Sequence, residues 1–317
     1  MDKPLLSICI PTYNRSKYLK NSIESIICQQ EFLDGKVEIV ISDNASEDDT
    51  YSVVKAYTDR YQNVFYHRNR ENIRDRNFPM ALSQAHGVLR RLCNDTLVFS
   101  PDALAGMCRV IEENREKKPF LCWANGCGQC ERELFAADFP GYIRCVSFYM
   151  TSLAFFSLWE EECADIQNDT DGCDLSLWQV RKGLEIAYRK NDILICNTCY
   201  TDTQVVEKKN ISYGLYKVFF ENFFLLLAPY FGNNALTEGD REYLEKDLLF
   251  RFFMGWCIRW ELQDKTLIYS QTENLKQSIW NQYKGKPYWS VFRCLYYLGL
   301  FRARARQVLK PLLKEWK

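Results

Sequence analysis

The sequence predicts an α/β fold: a mostly parallel sheet flanked by helices over the first 125 residues, followed by a helical C-terminal extension. Three observations carry this. Short apolar runs alternate with segments of helical periodicity between residues 6 and 124. Proline, serine and acidic residues sit where one period changes to the other. From about residue 212 the strand-like runs give way to a long, aromatic-rich helical stretch.

Residues 6–10 (LSICI) read as a buried strand, stopped by Pro11. Leu19, Ile23, Ile26 and Ile27 then fall at i, i+4, i+7 and i+8, one face of a helix. Residues 37–41 form a second strand. Ser46, with Asp49 three residues on, fits a helix cap, and Val54, Tyr57 and Tyr61 continue that helix. A short third strand at 64–66 and a third helix at 76–86 follow, then a fourth strand at 89–93. Ser100-Pro101 reads as a cap plus first-turn proline, with Leu104, Met107 and Ile111 turned inward. Residues 120–124 are a fifth strand. Parallel sheets of this type bind ligands beyond the carboxyl ends of their strands, which directs attention to 11–15, 42–46 and 94–96.

Composition excludes several classes. The 41 basic and 41 acidic side chains cancel, which argues against a nucleic-acid partner. Apolar residues make up 47% of the chain, too many for disorder. No uncharged apolar run reaches the ~18–20 residues of a membrane span. Met1-Asp2-Lys3-Pro4 runs straight into the first strand without an export signal, so the expectation is an intracellular protein with reduced, mostly buried thiols among its 14 cysteines. Cys127/Cys130 and Cys196/Cys199 are C-x-x-C pairs; zinc is the alternative to ordinary thiols, but neither pair has a nearby histidine. His67 and His86 read as structural.

Residues 6–15 (LSICIPTYNR) and 40–50 (VISDNASEDDT) together resemble the opening strand and acidic loop of family 2 glycosyltransferases of GT-A fold, in the right order and at about the usual separation. The resemblance is good over 5–125 and weaker to about 190; beyond that it is a general likeness to bacterial capsule and surface-polysaccharide transferases. It implies a Rossmann-like GT-A domain over 1–210 that binds a nucleotide-sugar and carries catalysis. The helical remainder, 211–317, is then a membrane- or partner-associating region. Chemistry agrees with the likeness. Asp43, at a strand end, can accept from the N–H of a uracil-like base, while Pro11, Thr12, Tyr13 and Asn14 wall base and ribose. The bland alternative is a helix-capping turn and a strand terminator.

In the stretch 68–77, Arg76 and Asn77 stand where the family has an Arg-Asn pair, able to touch ribose or diphosphate. Asn94-Asp95-Thr96 stands where the family has Asp-x-Asp, which holds Mg²⁺ or Mn²⁺ on the diphosphate; Asp95 is the sole carboxylate left. Arg90 and Arg91 are candidates to share its neutralising role, though strand geometry points them to opposite faces. The resemblance implies an inverting displacement with a carboxylate base at the start of a later helix. Asp174 matches that position, with Asp171 as runner-up, and partial burial is expected to tune it. Both close an acidic stretch, 160–174, of seven carboxylates without Lys or Arg.

The implied reaction moves a sugar, from a donor expected to be UDP-linked, to a hydroxyl of a surface-glycan or lipid-linked acceptor. A nucleotidyltransferase is the second enzyme class, weakened by the lack of glycine in 11–15. The third class is a catalytically inactive glycan-binding or scaffold module. Residues 284–317 hold nine basic groups against Glu315, and an aromatic segment at 288–301 leads into Arg302, Arg304 and Arg306. That suits a helix lying on an anionic membrane at the inner, cytoplasmic face, or one packed on the protein with solvated arginines.

Overall fold

The computed structural model describes residues 3–129 and 132–312. Two compact units divide the chain, Met1–Val206 and Glu207–Lys317. In chain order the first unit opens with β1 (Leu6–Thr12), α1 (Ser16–Ile27), the short α2 (Gln30–Leu33), β2 (Val37–Asp43), α3 (Thr50–Thr58) and β3 (Val64–Arg68). Next come α4 (Asn77–Ser83), β4 (Leu89–Leu92), β5 (Leu97–Phe99), α5 (Ala103–Asn114) and β6 (Phe120–Trp123). It closes with β7 (Leu134–Ala137), α6 (Phe139–Val146), β8 (Ser157–Trp159), α7 (Trp178–Lys190), β9 (Ile193–Cys196) and β10 (Thr201–Thr203).

The main sheet has the order β3-β2-β1-β4-β8, with the first four strands parallel and β8 antiparallel at one edge. Leu6, Ile8, Ile10, Ile39 and Ile41 are fully buried and share one core with Leu19, Ile23 and Ile26 of α1. That is what an apolar run covered by helices requires. A smaller sheet, β6-β9-β7, stands apart, and β5 pairs antiparallel with β10.

Several elements differ from expectation, each for a local reason. The first strand does not stop at Pro11. Cys93 N donates to Cys9 O, so Cys9, and two residues on Pro11, turn their hydrogen-bonding groups toward β4. That strand has already ended at Leu92, so the missing N–H costs nothing and β1 runs on to Thr12. Ser46 is not a helix cap. The helix begins at Thr50 with Asp49 in the cap position and no side-chain capping bond from it; Asp48, one residue earlier, accepts from Thr50 N at 3.1 Å. The third helix is a 3-10 turn, Arg74–Arg76, leading into the shorter α4. Ser100-Pro101 does not open α5. Asp102 precedes it at φ 60°, and Gln29 Oε1 accepts from Leu104 N at 2.9 Å. The fifth strand, β6, belongs to the smaller sheet.

The second unit holds β11 (Lys209–Asn210), α8 (Phe223–Gly232), α9 (Glu238–Asp247), α10 (Met254–Glu261), β12 (Leu267–Ile268), α11 (Leu275–Tyr283) and α12 (Trp289–Leu312). Its core is aromatic: Phe253, Tyr283, Phe292 and Tyr296 are fully buried. It is not wholly helical, because β11 and β12 pair in parallel. Among the described residues no helix is long and apolar enough to cross a membrane.

Cys130 of the first C-x-x-C pair lies outside the described residues. Cys127 is half-buried, Cys196 buried and Cys199 exposed, and no metal-holding cluster of three His, Cys, Asp or Glu is found among the described residues. Burial pushes the thiols of Cys9, Cys93 and Cys122 up, which keeps them protonated.

Candidate active site

The site grows from the carboxyl ends of β1 and β2. Their parallel register sets Thr12 beside Asp43. Thr12 Oγ1 donates to Asp95 Oδ2 at 2.9 Å, which ties the loop after β4 to the same rim. Arg15 Nη1 lies 3.6 Å from the other oxygen of Asp95. Asp95 is 6% exposed, and burial pushes its carboxyl up to about 6 against the pull of Arg15 and Thr12.

Asp43 is fully buried, and both its oxygens are engaged. Oδ1 accepts from Ser46 N at 2.8 Å; Oδ2 accepts from Tyr66 OH at 2.5 Å and lies 3.6 Å from Arg68 Nε. Burial first, then the hydrogen bond to Asp43 and that carboxylate's charge, push the Tyr66 phenol up, so it stays a donor. The loops after β1 and β2 are stitched together. Asn14 N donates to Ser46 Oγ at 2.9 Å, Asn14 Oδ1 accepts from Glu47 N at 2.7 Å, and Asp48 accepts from Ser16 N at 3.0 Å. Asn14 at φ 53° and Ala45 at φ 64° make the reversals. Asparagine tolerates that region; alanine is strained there.

Asn44 gathers the 69–76 segment. Its Nδ2 donates to Asn72 Oδ1 at 2.9 Å and to Arg74 O at 3.3 Å, and its Oδ1 accepts from Ile73 N at 2.8 Å. Arg74 and Arg76 are left exposed, whereas Asn77 is buried. Asn77 donates to Ser42 O at 2.8 Å and accepts from Ser42 Oγ at 2.7 Å and Asn69 Nδ2 at 2.8 Å, so it braces the rim from below.

The Arg74–Arg76 turn packs on a second 3-10 turn, Cys173–Leu175, which carries Asp174. Electrostatic influence from Asp75 and Arg76 reaches Cys173, whose thiol is pushed up to about 11, chiefly by burial. Burial likewise pushes Asp75 up to about 6. Asp174 is not in the first turn of a helix, since α7 starts four residues later at Trp178. Nor is it partly buried: Asp171 and Asp174 are both exposed, without an ion pair among the described residues. Much of the acidic stretch is neutralised elsewhere. Glu161 pairs with Lys118, Glu162 with Lys190 at 3.1 Å, and Asp169 with Lys182 at 3.1 Å.

Contacts therefore run in sequence from Asp95 through Thr12, Asp43, Asn44 and Arg74 to the turn of Asp174, along one edge of one sheet. Arg90 and Arg91 are not on that edge. Arg91 is buried, with its Nε donating to Ala154 O at 3.1 Å and its guanidinium 5.2 Å from the Trp123 ring. Arg90 turns the other way and donates to Leu82 O at 2.8 Å. Sequence reasoning gave Arg15, Tyr66 and Arg68 no role. Arg15 and Arg68 lie within the stretches 11–15 and 68–77 that the sequence singled out, while Tyr66 lies on the neighbouring strand and carries no signal.

Residues 7–120 match the model for glycosyl transferase family 2. This segment is a family 2 glycosyltransferase domain. The chain is 45% identical over 121 residues to an abequosyltransferase of Salmonella typhimurium, covering 37% of this chain and 35% of that protein. Over 52 residues it is 48% identical to a GalNAc(5)-diNAcBac-PP-undecaprenol beta-1,3-glucosyltransferase of Campylobacter jejuni, 16% of each chain. The matched part thus spans well under half the length of these relatives.

Among solved structures, residues 1–349 of S. aureus TarS with UDP-GlcNAc superpose with a TM-score of 0.56 at 18% identity, over 87% of this chain and 78% of that one. The mannosyltransferase PcManGT of Pyrobaculum calidifontis, with GDP-Man and Mn²⁺, gives 0.52 at 14%, over 97% and 88%. These likenesses concern the fold, which is GT-A.

Proposed function

We propose that the chain is an inverting glycosyltransferase that moves a sugar from a nucleotide-sugar, UDP-linked, to a hydroxyl of a surface-glycan or lipid-linked acceptor. The observation that carries this is the Thr12 bridge: it stands beside Asp43 and holds Asp95, so base-reading and diphosphate-facing groups share one rim. The relatives named above transfer sugars, and one structural neighbour holds UDP-GlcNAc, which supports the donor class.

In this reading Pro11, Thr12, Tyr13 and Asn14 wall the nucleoside, and Tyr13 is the exposed ring among them. Asp43 serves the base through a remaining lone pair, held rigid by Ser46 and Tyr66. Arg76 meets the diphosphate, Asn77 fixes the turn that presents it, and Asn94 flanks Asp95. Asp95 and Arg15 face the departing nucleoside diphosphate. Asp174 takes the proton from the acceptor hydroxyl as its oxygen bonds to the anomeric carbon and the carbon–diphosphate bond breaks; Asp171 is the alternative base.

The donor set fits a divalent ion held jointly with the diphosphate, and not a site built from protein alone. Asp95 is already engaged by Thr12 and Arg15, and Asp48 is the neighbouring carboxylate whose charge reaches it. A bound Mg²⁺ or Mn²⁺ would neutralise charge on the leaving group. The setting proposed is the cytoplasmic face of a membrane, where lipid-linked acceptors present their sugars.

Titrating UDP, other nucleotides and their sugars while following thermal unfolding tests the reading. A ligand at 100 times its Kd adds roughly 2.7 kcal/mol. No shift with any of them would sink it. The Asn94-Asp95-Thr96 stretch, with one acid where the motif has two and that acid engaged by Arg15, favours a second reading, an inactive glycan-binding module. Release of nucleoside diphosphate that is lost in Asp174→Asn decides for the enzyme.

A further inference from the structure

We propose that the outward face of α12 docks on an anionic lipid surface. This names the partner for the membrane setting suggested above, but its evidence lies in α12 alone. Trp289, Phe292, Tyr296 and Leu300 form the packed side of the helix, all buried within the second unit. On the opposite side Val291 is 56% exposed, Leu295 43%, Leu298 42% and Phe301 70%. Their spacings of four, three and three residues keep them on one stripe, since each residue turns ~100°. A helix already packed on one side normally presents polar residues on the other.

Charge identifies the occupant. Arg302 and Arg306 are exposed beside the stripe, and α12 contains no acidic residue. None occurs between Glu273 and Glu315. Only Arg304 reaches a carboxylate among the described residues, 3.8 Å from Glu261. An apolar stripe edged by arginines suits the boundary between headgroups and acyl chains, where guanidinium groups meet lipid phosphates. A second copy of this chain fits less well. Two-fold packing of this face would bring arginine to arginine, with no acid on the face to pair.

The test uses the full chain with vesicles of phosphatidylcholine alone or with about one-third phosphatidylglycerol. Binding is expected only to the anionic vesicles, and to weaken at high salt. It should fall roughly tenfold or more in Leu298→Gln/Phe301→Gln and separately in Arg302→Gln/Arg306→Gln. Circular dichroism and unfolding midpoint should stay unchanged in both variants. Equal binding to both vesicle types, or none, overturns the proposal. So does a dimer in solution that Leu298→Gln/Phe301→Gln converts to monomer without affecting vesicle binding. The nucleotide-induced thermal shift, measured on the same proteins, separates this from the transferase reading: the shift depends on the first unit and should survive in both variants.

Discussion

Asp95 is a buried carboxylate held with one hydroxyl and one guanidinium, and its proton affinity is raised from the ordinary 3.8 to about 6. The folded chain binds that proton more tightly than the unfolded chain does. Stability contributed here therefore falls as pH rises from about 4 to about 6 and stays low above that, a cost of about 3 kcal/mol at pH 8. Asp95→Asn is expected to raise the unfolding free energy at pH 8, with the gain vanishing near pH 4, while sugar transfer is lost. Urea melts at the two pH values check it, and equal effects at both would refute it. Arg15→Gln removes the opposing charge, so the acid limb of the transfer rate should move to higher pH. Ala45 carries strain of another kind. At φ 64° its Cβ crowds the backbone, and Ala45→Gly should stabilise the fold by about 1 kcal/mol without weakening nucleotide binding.

Among the secondary-structure elements, β2 is anchored at both ends by buried carboxylates. Asp43 shapes the site end. At the other end Glu38, 1% exposed, accepts from Ser7 Oγ at 2.6 Å and from the backbone N–H groups of His86 at 2.6 Å and Gly87 at 3.2 Å. This joins β2 to β1 and to the start of β4. Gly87 has no room for a side chain, since a Cβ there would lie 2.5 Å from Ser7 Oγ and 2.8 Å from Ser7 N. Glu38→Ala strands buried donors and should cost ~3 kcal/mol; Glu38→Gln keeps an acceptor and should cost ~1 kcal/mol or less. Chemical denaturation of the two variants checks this, and equal losses would contradict it.

For the molecule as a whole, the apolar core beneath the site lies entirely within Met1–Val206. A chain ending at Val206 should fold cooperatively and keep the thermal response to nucleotide shown by the full chain. Calorimetry with and without nucleotide decides it, and a fragment that unfolds without a transition would show that the division is not one of stability.

Legibility followed sequence distance. The strands at 6–10 and 37–41 and the helix face of Leu19, Ile23 and Ile26 were readable because burial writes its period directly into neighbouring residues. The matched segments 6–15 and 40–50 located the rim for the same reason: each is a strand and its own turn. What the chain alone did not reveal depends on partners far along it. Strand ends were set by where a neighbour stopped pairing, as at Pro11 against Leu92. Tyr66 and Arg68 joined Asp43 only because β3 lies beside β2. Asp174 lost its expected burial because its turn rests against Arg74–Arg76 at the surface. Side chains of α12 divided into packed and open faces only once the aromatic core had claimed Phe292 and Tyr296. Local periodicity is set by one residue's own environment, whereas hydrogen-bond satisfaction and desolvation are set by whatever the fold brings near.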